Sequence, residues 1–269
     1  MRIIDGMVVV IDTETTGRDP TRDRVVAFGV ARFDSGIFDA GDSILVNPGE
    51  AAIAHSIASG ASDVHRIDTD TLRAAPTFAD AAQQIIDLIH YADRHFAICA
   101  YNADYDVTIL GAEFARAGFP NPFATLSPPI DPRWFAWAQD PVRSSRLSAA
   151  CETFGVAHHG EHDAAHDARA TGELLFVLNR MGIVPSHTDD IRRLQTTYAQ
   201  RHRNSRALFG SQAVFDDAGA VRVLRGPRPG TLITEIDEYC LNQIIADDQA
   251  PAPLVDIVRA ELARRTQPR

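Results

Sequence analysis

The sequence predicts an α/β fold: a mixed sheet flanked by helices over residues 1–185, then a small, mainly helical C-terminal appendage over 186–269. Three observations carry this reading. Residues 7–11, 24–33 and 42–47 read as consecutive strands with short, turn-rich links, the pattern of an antiparallel meander. Helical and short apolar segments then alternate as far as Gly182-Ile183-Val184-Pro185, which suits a sheet covered by helices. Beyond that point the apolar alternation gives way to an Arg- and Gln-rich helix and irregular Pro/Gly segments.

The first strand, Val8-Val9-Val10-Ile11, is uniformly aliphatic, as expected of a strand covered on both faces. It stops at Asp12, with Glu14 two residues on, so both carboxylates share one face at the strand's end. Arg18–Asp23 and Asp34-Ser35-Gly36 supply the two turns of the meander, and Asn47-Pro48-Gly49 closes it. A loop region is expected to follow, containing His55 and the segment Val64-His65-Arg66-Ile67. Thr77 with Asp80 forms a capping-box pattern that opens a helix with Phe78, Ala82, Ile85, Ile86 and Ile89 on one face. A short buried strand at 96–100 leads to Asn102 and a helix over 103–117 that stops at Gly118. Ser145 is the expected cap of a helix ended by Gly155, and a His-rich loop at 158–162 precedes a helix over 163–181 with Ala168, Thr171, Leu175 and Leu178 inward.

Bulk properties bound the function. The 269 residues are 45% hydrophobic and 23% charged, ordinary for a globular chain. No run reaches the ~18–20 apolar residues of a membrane span, and no signal-peptide core stands at the N-terminus. Cys99, Cys151 and Cys240 are far apart and outside any metal-ligand spacing, so they read as reduced core residues of a cytoplasmic protein. A net charge of −10 argues against a broadly basic surface for nucleic acid, although metals can neutralise an acidic nuclease site. All basic side chains are Arg, which fits either a GC-rich coding bias or bidentate phosphate recognition.

Two carboxylates at the lip of an apolar strand repel each other and are costly to desolvate. Read alone, Asp12 and Glu14 also suit a solvated acidic turn. A hard cation such as Mg²⁺ or Mn²⁺ is the simplest remedy if they are buried. Further ligands of the right kind sit at element junctions: Asp104 or Asp106 where the fourth strand meets its helix, and His162, Asp163, His166 or Asp167 where the 163–181 helix opens. Each has an ordinary alternative as a solvated helix face, a surface histidine or a helix N-terminal charge. Their order along the chain is the sharper signal.

That order resembles the DEDDh superfamily of 3′–5′ exonucleases, over residues 6–182. Asp12-Thr13-Glu14-Thr15-Thr16-Gly17 is similar to the first family motif, Asn102-Ala103-Asp104-Tyr105-Asp106 to the second, and His162 with Asp167 and Ala168 to the third. Val64-His65-x-Ile67 and Ala75–Phe78 resemble the family's substrate-facing loop and following helix, and Leu147–Gly155 the helix before the third motif. Tyr101 stands where the family often has His, and Arg66 where it usually has Gly.

The resemblance implies a ribonuclease H-like fold and two divalent cations, Mg²⁺ or Mn²⁺, serving a two-metal phosphodiester hydrolysis. It implies Asp12, Glu14, Asp106 and Asp167 as metal ligands and His162 as general base, ahead of His166, whose helix position points elsewhere. Thr15, Gly17, Val64, His65 and Asn102 are implied to grip the terminal nucleotide. The implied substrate is a single-stranded nucleic-acid 3′ end, DNA ahead of RNA, with proofreading or repair as the setting and a DNA polymerase subunit as partner. An exoribonuclease or oligoribonuclease, and a non-catalytic polymerase accessory module, are the alternatives. The appendage carries two basic stretches, Arg192–Arg206 and Arg222–Arg228, that suit either a solvated helix or a nucleic-acid contact. It faintly resembles small C-terminal modules of bacterial exonucleases.

Overall fold

A computed structural model describes residues 1–90, 96–141, 145–158, 162–226 and 228–266. The chain opens with β1 (Met7–Thr15), β2 (Val25–Asp34) and β3 (Ile37–Leu45), the expected antiparallel meander. β1 is longer than expected. Asp12 pairs with Gly29 and Glu14 with Ala27, so both carboxylates lie within the sheet rather than past its end. The β-branched Thr13 and Thr15 keep the strand going through the acidic positions, and a register shift after Glu14 ends the regular pairing.

Residues 50–74 are helical, not a loop. They form α1 (Glu50–Ser59), α2 (Ala61–His65) and α3 (Thr69–Ala74). Left-handed Gly60 and Arg66 break the chain between them, and Asp68 caps the third through the Asp70 and Thr71 amides. α4 (Phe78–Ile89) starts with the anticipated Thr77/Asp80 capping box and buries Phe78, Ala82, Ile85 and Ile89. β4 (Phe96–Cys99) runs parallel to β1, completing the sheet order β3-β2-β1-β4.

α5 (Ala103–Arg116) follows directly, then α6 (Pro132–Gln139) and α7 (Leu147–Phe154). The cap of α7 is Arg146 in extended backbone, with no side-chain cap bond, so Ser145 does not serve as expected. α8 (Ala164–Arg180) is capped by Asp163, whose Oδ1 accepts from the amides of Ala165 and His166. It packs across β1 and β2. Two glycines permit this approach: a methyl on Gly29 would lie 2.1 Å from the Ala164 carbonyl carbon, and one on Gly172 2.1 Å from the Phe33 ring. On the opposite face Val9, Ile11, Phe28 and Val30 pack with Phe78, Ile85, Ile109 and Phe114 in the main core.

Among the described residues the chain divides into two compact units: 1–133 with 146–193, and 134–145 with 194–269. The expected boundary at 185 differs in two places, since 186–193 belong with the first unit and 134–145 with the second. The second unit contains most of α9 (Thr188–Phe209), which runs beyond the expected 203, the hairpin β5 (Ala213–Phe215) and β6 (Val221–Val223), α10 (Glu238–Ala246) and α11 (Ala252–Thr266). Its own core joins Phe209, Val223, Ile236, Leu241, Leu254 and Val258. Among the described residues, no helix is long and apolar enough to cross a membrane.

Candidate active site

The site forms where three elements meet. β1 carries Asp12 and Glu14 on the face covered by α8, because Gly29, the cross-strand partner of Asp12, lies directly beneath Ala164 at the start of that helix. Asp167 follows one turn later. β4 stops at Cys99 opposite Val10, so the chain leaving it passes beside Asp12 and delivers Asp106 in the first turn of α5. Asp106 is buried, and the Thr13 hydroxyl, from the other face of β1, donates to its Oδ1 at 2.7 Å.

These carboxylates crowd one another. Burial first, then repulsion from Asp106, Asp167 and Glu14, holds Asp12 well above the ordinary carboxylate range. Burial and repulsion from Asp167 and Asp106 push Glu14 up to about 8. Asp106 is pushed up to about 7, mainly by burial and against the Thr13 hydrogen bond that lowers it. Such a cluster holds excess negative charge that a divalent cation offsets. Ligand atoms of Glu14, His162 and Asp167 all lie within 4.8 Å of one another, close enough to share an ion. The residues therefore fit a hard divalent metal.

The loop before α8 grips Asp167 twice. His158 Nε2 lies 2.5 Å from Oδ1, and the His162 amide donates to Oδ2 at 3.3 Å. His162 itself has φ 67°, a left-handed conformation uncommon outside glycine and frequent at functional loops. Residues 159–161 of the His-rich loop lie outside the described residues. The alternatives to the expected set separate clearly. Asp104 is exposed, Asp163 is spent as the helix cap, and exposed His166 faces Asp163 at 3.4 Å.

Beside Glu14 a cavity of about 350 Å³ is lined by Thr15, Gly17, Arg18, Ser59, Gly60 and Val64. Thr15, Gly17 and Val64 thus come together as expected. The Thr15 and Tyr105 hydroxyls both donate to the Gly17 carbonyl, at 2.8 and 2.6 Å, which fixes this turn against α5. Gly17 is small because Asp23 is close: a methyl there would meet its carboxylate at 2.4 Å.

His65 and Asn102 are not among the described residues that line this cavity. His65 is buried, and its Nδ1 accepts from the Ile67 amide at 3.1 Å while Nε2 meets Ser56 Oγ at 3.1 Å. Burial holds its pKa low, so it is a neutral brace between α1 and α2 rather than a member of the cavity wall. Asn102 has φ 67° and makes no side-chain cap bond; its contribution is the backbone turn from β4 into α5.

Two residues had no place in the sequence reading. His158 shares a His-x3-His spacing with His162, which is the only local hint of a common role. Asp131 is buried and accepts from the amides of Asn102 at 3.2 Å, Ala103 at 3.3 Å and Arg133 at 3.0 Å, so it caps α5 from a distant segment. Burial pushes it up to about 6.

Comparison with known proteins agrees with this geometry. The RNase T family profile, described as Exonuclease, matches residues 9–175. The chain is 25% identical over 193 residues to the PolC-type DNA polymerase III of Streptococcus suis, covering 71% of this chain and 12% of the polymerase. It is 25% identical over 178 residues to DNA polymerase III subunit epsilon of Buchnera aphidicola, covering 63% of this chain and 71% of that protein. The chain therefore spans about an eighth of the PolC-type relative. The nuclease domain of 3′hExo, a DEDDh family member solved bound to rAMP, superposes with a TM-score of 0.56 at 16% identity, covering 68% of this chain and 96% of that domain, a likeness of fold. The profile match spans well over half of the sequence and includes the whole of β1 from Val9, α5 and the acidic start of α8: this chain belongs to the RNase T exonuclease family.

Proposed function

We propose that the protein is a metal-dependent 3′–5′ exonuclease that hydrolyses single-stranded DNA from its 3′ end to nucleoside monophosphates, in proofreading or repair. The observation that carries this is the convergence of Asp12, Glu14, Asp106 and Asp167 with His162, in which burial raises three of the four carboxylates and repulsion from their neighbours in the set adds to it at Asp12 and Glu14. Asp12, Glu14 and Asp167, with Asp106 from α5, would hold two Mg²⁺ or Mn²⁺ ions. When bound, such ions supply an acidified water and stabilise charge on the leaving 3′ oxygen.

The chain's own residues do the rest. His162 takes the proton of the attacking water as the new phosphorus–oxygen bond forms and the bond to the 3′ oxygen of the penultimate sugar breaks. That oxygen leaves as a 3′-hydroxyl after protonation from solvent, and the terminal residue departs as a 5′-monophosphate. His158 and the His162 amide hold Asp167 in place. The cavity of Thr15, Gly17 and Val64 beside Glu14 receives the terminal nucleoside.

DNA as substrate, and a DNA polymerase as partner, are supported by the two polymerase III relatives. A second reading, an exoribonuclease or oligoribonuclease, draws on the rAMP bound to the related 3′hExo fold. A purely accessory, non-catalytic role has no support in a site that retains its full acidic set. A cytoplasmic setting is supported by three buried cysteines, Cys99, Cys151 and Cys240, that form no disulfide among the described residues.

The test is degradation of matched 5′-labelled DNA and RNA oligonucleotides with Mg²⁺, Mn²⁺ or EDTA. Stepwise loss of 3′ nucleotides from DNA, abolished in folded Asp12→Ala and in EDTA, is expected. Undiminished cleavage by Asp12→Ala would refute the metal site, and a large preference for RNA would select the second reading.

A further inference from the structure

The C-terminal unit holds the electrostatic opposite of the acidic site. Most of its arginines are neutralised by carboxylates. Arg201 pairs with Asp217, Arg222 with Asp216, Arg228 with Asp237, and Arg264 and Arg265 with Glu261. Arg206 and Arg225 have no carboxylate partner among the described residues. Arg203 and Arg259 also lack one among the described residues, but Arg203 bonds Gln200 at 2.9 Å and neither is among the described residues lining the two cavities of this unit.

Arg206 and Arg225, by contrast, line the same pocket. It has a volume of about 230 Å³ and lies between α9, β5 and the residues that follow β6, with Ser145, His202 and Ser211 also in its wall. Among the described residues, no carboxylate lines it. Its floor is stiff: the His202 ring stands edge-on to Trp137 with centroids 5.2 Å apart and tilted against Trp134 at 5.4 Å. Ser205 beneath it donates to the Arg201 carbonyl at 2.8 Å and accepts from the Phe215 amide at 3.0 Å, tying α9 to β5. Placing two guanidiniums around one small concavity, in a chain of net charge −10, costs energy through their mutual repulsion. An anion with several acceptor oxygens removes that cost, and the guanidinium forks with neighbouring hydroxyls match phosphate.

The contrast with the adjoining cavity sharpens the point. That cavity, of about 430 Å³, shares Trp137 and Pro141 with the first, but is lined by Asp140, Asp216 and Asp217 against Arg201 and Arg222. Its arginines are already compensated. Of these two cavities, among the described residues, the Arg206/Arg225 pocket is the one whose positive charge is uncompensated.

We propose that this pocket is a second nucleic-acid contact, binding a backbone phosphate of a single-stranded substrate in addition to the carboxylate site. This rests on the exonuclease reading for the identity of the ligand, while the anion chemistry stands on the pocket alone. The pocket reads no bases, so binding there is independent of sequence and sensitive to salt.

The experiment uses the full chain in EDTA, which stops hydrolysis, and follows anisotropy of a fluorescein-labelled oligothymidylate across a salt series. The double variant Arg206→Ala/Arg225→Ala, in which both replaced side chains are solvent-exposed, should bind about tenfold more weakly, with the log–log salt slope reduced by about 0.7 for the one lost phosphate contact to a single strand. Arg225→Glu alone should weaken binding further than Arg225→Ala. Cleavage of the p-nitrophenyl ester of thymidine 5′-phosphate, which has no strand to reach a second pocket, should be unchanged, while KM for the oligonucleotide rises. Unaltered oligonucleotide affinity and salt slope in the double variant would overturn the proposal. So would a pocket that binds inorganic phosphate in wild type and loses it in the variant while strand affinity stays the same. If the wild type cleaves neither substrate, the exonuclease reading fails, but the EDTA binding arm still decides whether the pocket holds a strand.

Discussion

His158 Nε2 sits 2.5 Å from Asp167 Oδ1, both side chains nearly buried, while the His162 amide bonds the other oxygen of the same carboxylate at 3.3 Å. One loop thus clamps Asp167 from two sides, and the imidazole of His162 is left facing Glu14 and Asp167. On the proposed mechanism the two histidines would divide the work, His158 positioning a metal ligand and His162 taking the proton.

That division predicts unequal losses. His162→Ala should lower kcat by about 10²- to 10⁴-fold with little change in the Mn²⁺ concentration for half-maximal activity. His158→Ala should instead raise that Mn²⁺ requirement, with about 10- to 100-fold lower activity at limiting metal and partial recovery at saturating metal. His158→Gln, which keeps a hydrogen-bonding group, should recover more. A kcat loss at saturating Mn²⁺ that is larger in His158→Ala than in His162→Ala would transfer the base to His158.

The raised carboxylates set a pH dependence of stability. Glu14 is pushed up to about 8 and Asp106 to about 7, both above their unfolded values, so the fold favours their protonated forms. The metal-free protein therefore has this contribution in full below about pH 4 and loses it as pH rises through about 7 to 8. In EDTA the melting temperature should fall between pH 5.5 and pH 8.5. Mn²⁺ should raise it more at the upper end, where the ionised cluster binds best. Asp12→Asn should flatten the EDTA profile. A melting temperature in EDTA that climbs over this range would contradict the crowding of the four carboxylates.

Much of this was legible in local pattern. The aliphatic run of β1, the Thr77/Asp80 box and the inward face of α8 are short-range signals, and each folds as read. The order of acidic motifs also located the four carboxylates that the fold brings together. What escaped depends on distant chain. α1 buries only Ile53 and Ser56, so it lacks the apolar stripe that marks a helix. Asp12 and Glu14 looked like a strand end because their pairing partners, Gly29 and Ala27, belong to another strand. His65 offered no sign that Ser56 and the Ile67 amide would occupy both its nitrogens. Asp131 reaches the N-terminus of α5 from 28 residues away, and no local spacing encodes such a cap.

Arg66 stands where the DEDDh pattern usually has Gly, and the backbone gives the reason. Its φ is 56°, the left-handed cap of α2, with its amide bonded to the Ser62 carbonyl at 2.9 Å. An L side chain pays about 1–2 kcal/mol for that conformation, partly offset by the greater unfolded-state freedom of glycine. Arg66→Gly should therefore stabilise by about 0.5–1 kcal/mol, a rise of roughly 1–4 °C for a chain of this size. Gly60→Ala, six residues earlier at φ 78°, should lower the melting temperature by a similar amount. Denaturation of the two variants side by side checks both signs, and a destabilised Arg66→Gly would show that the guanidinium has a structural role of its own.

Gly29 is the point at which packing and the site are coupled. A methyl there would lie 2.1 Å from the Ala164 carbonyl carbon and 2.4 Å from the Ala165 amide nitrogen, both backbone, so no side chain can swing aside to relieve it. Gly29→Ala must lift the first turn of α8 from β2, and Asp167 lies on that turn. Overpacking alone costs about 1–3 kcal/mol. The displaced carboxylate should cost more in activity than in stability, because a misplacement of about 1 Å near reacting groups lowers rate by roughly 10²-fold. Gly41→Ala is the matched control on the same sheet, where the added methyl meets its nearest neighbour, the Val30 carbonyl oxygen, at 3.4 Å. Gly41→Ala should keep near-normal activity and metal requirement. Gly29→Ala should remain folded at low temperature yet need far more Mn²⁺ and turn over slowly, and a Gly29→Ala protein with wild-type activity would separate Asp167 from the seating of α8 on β2.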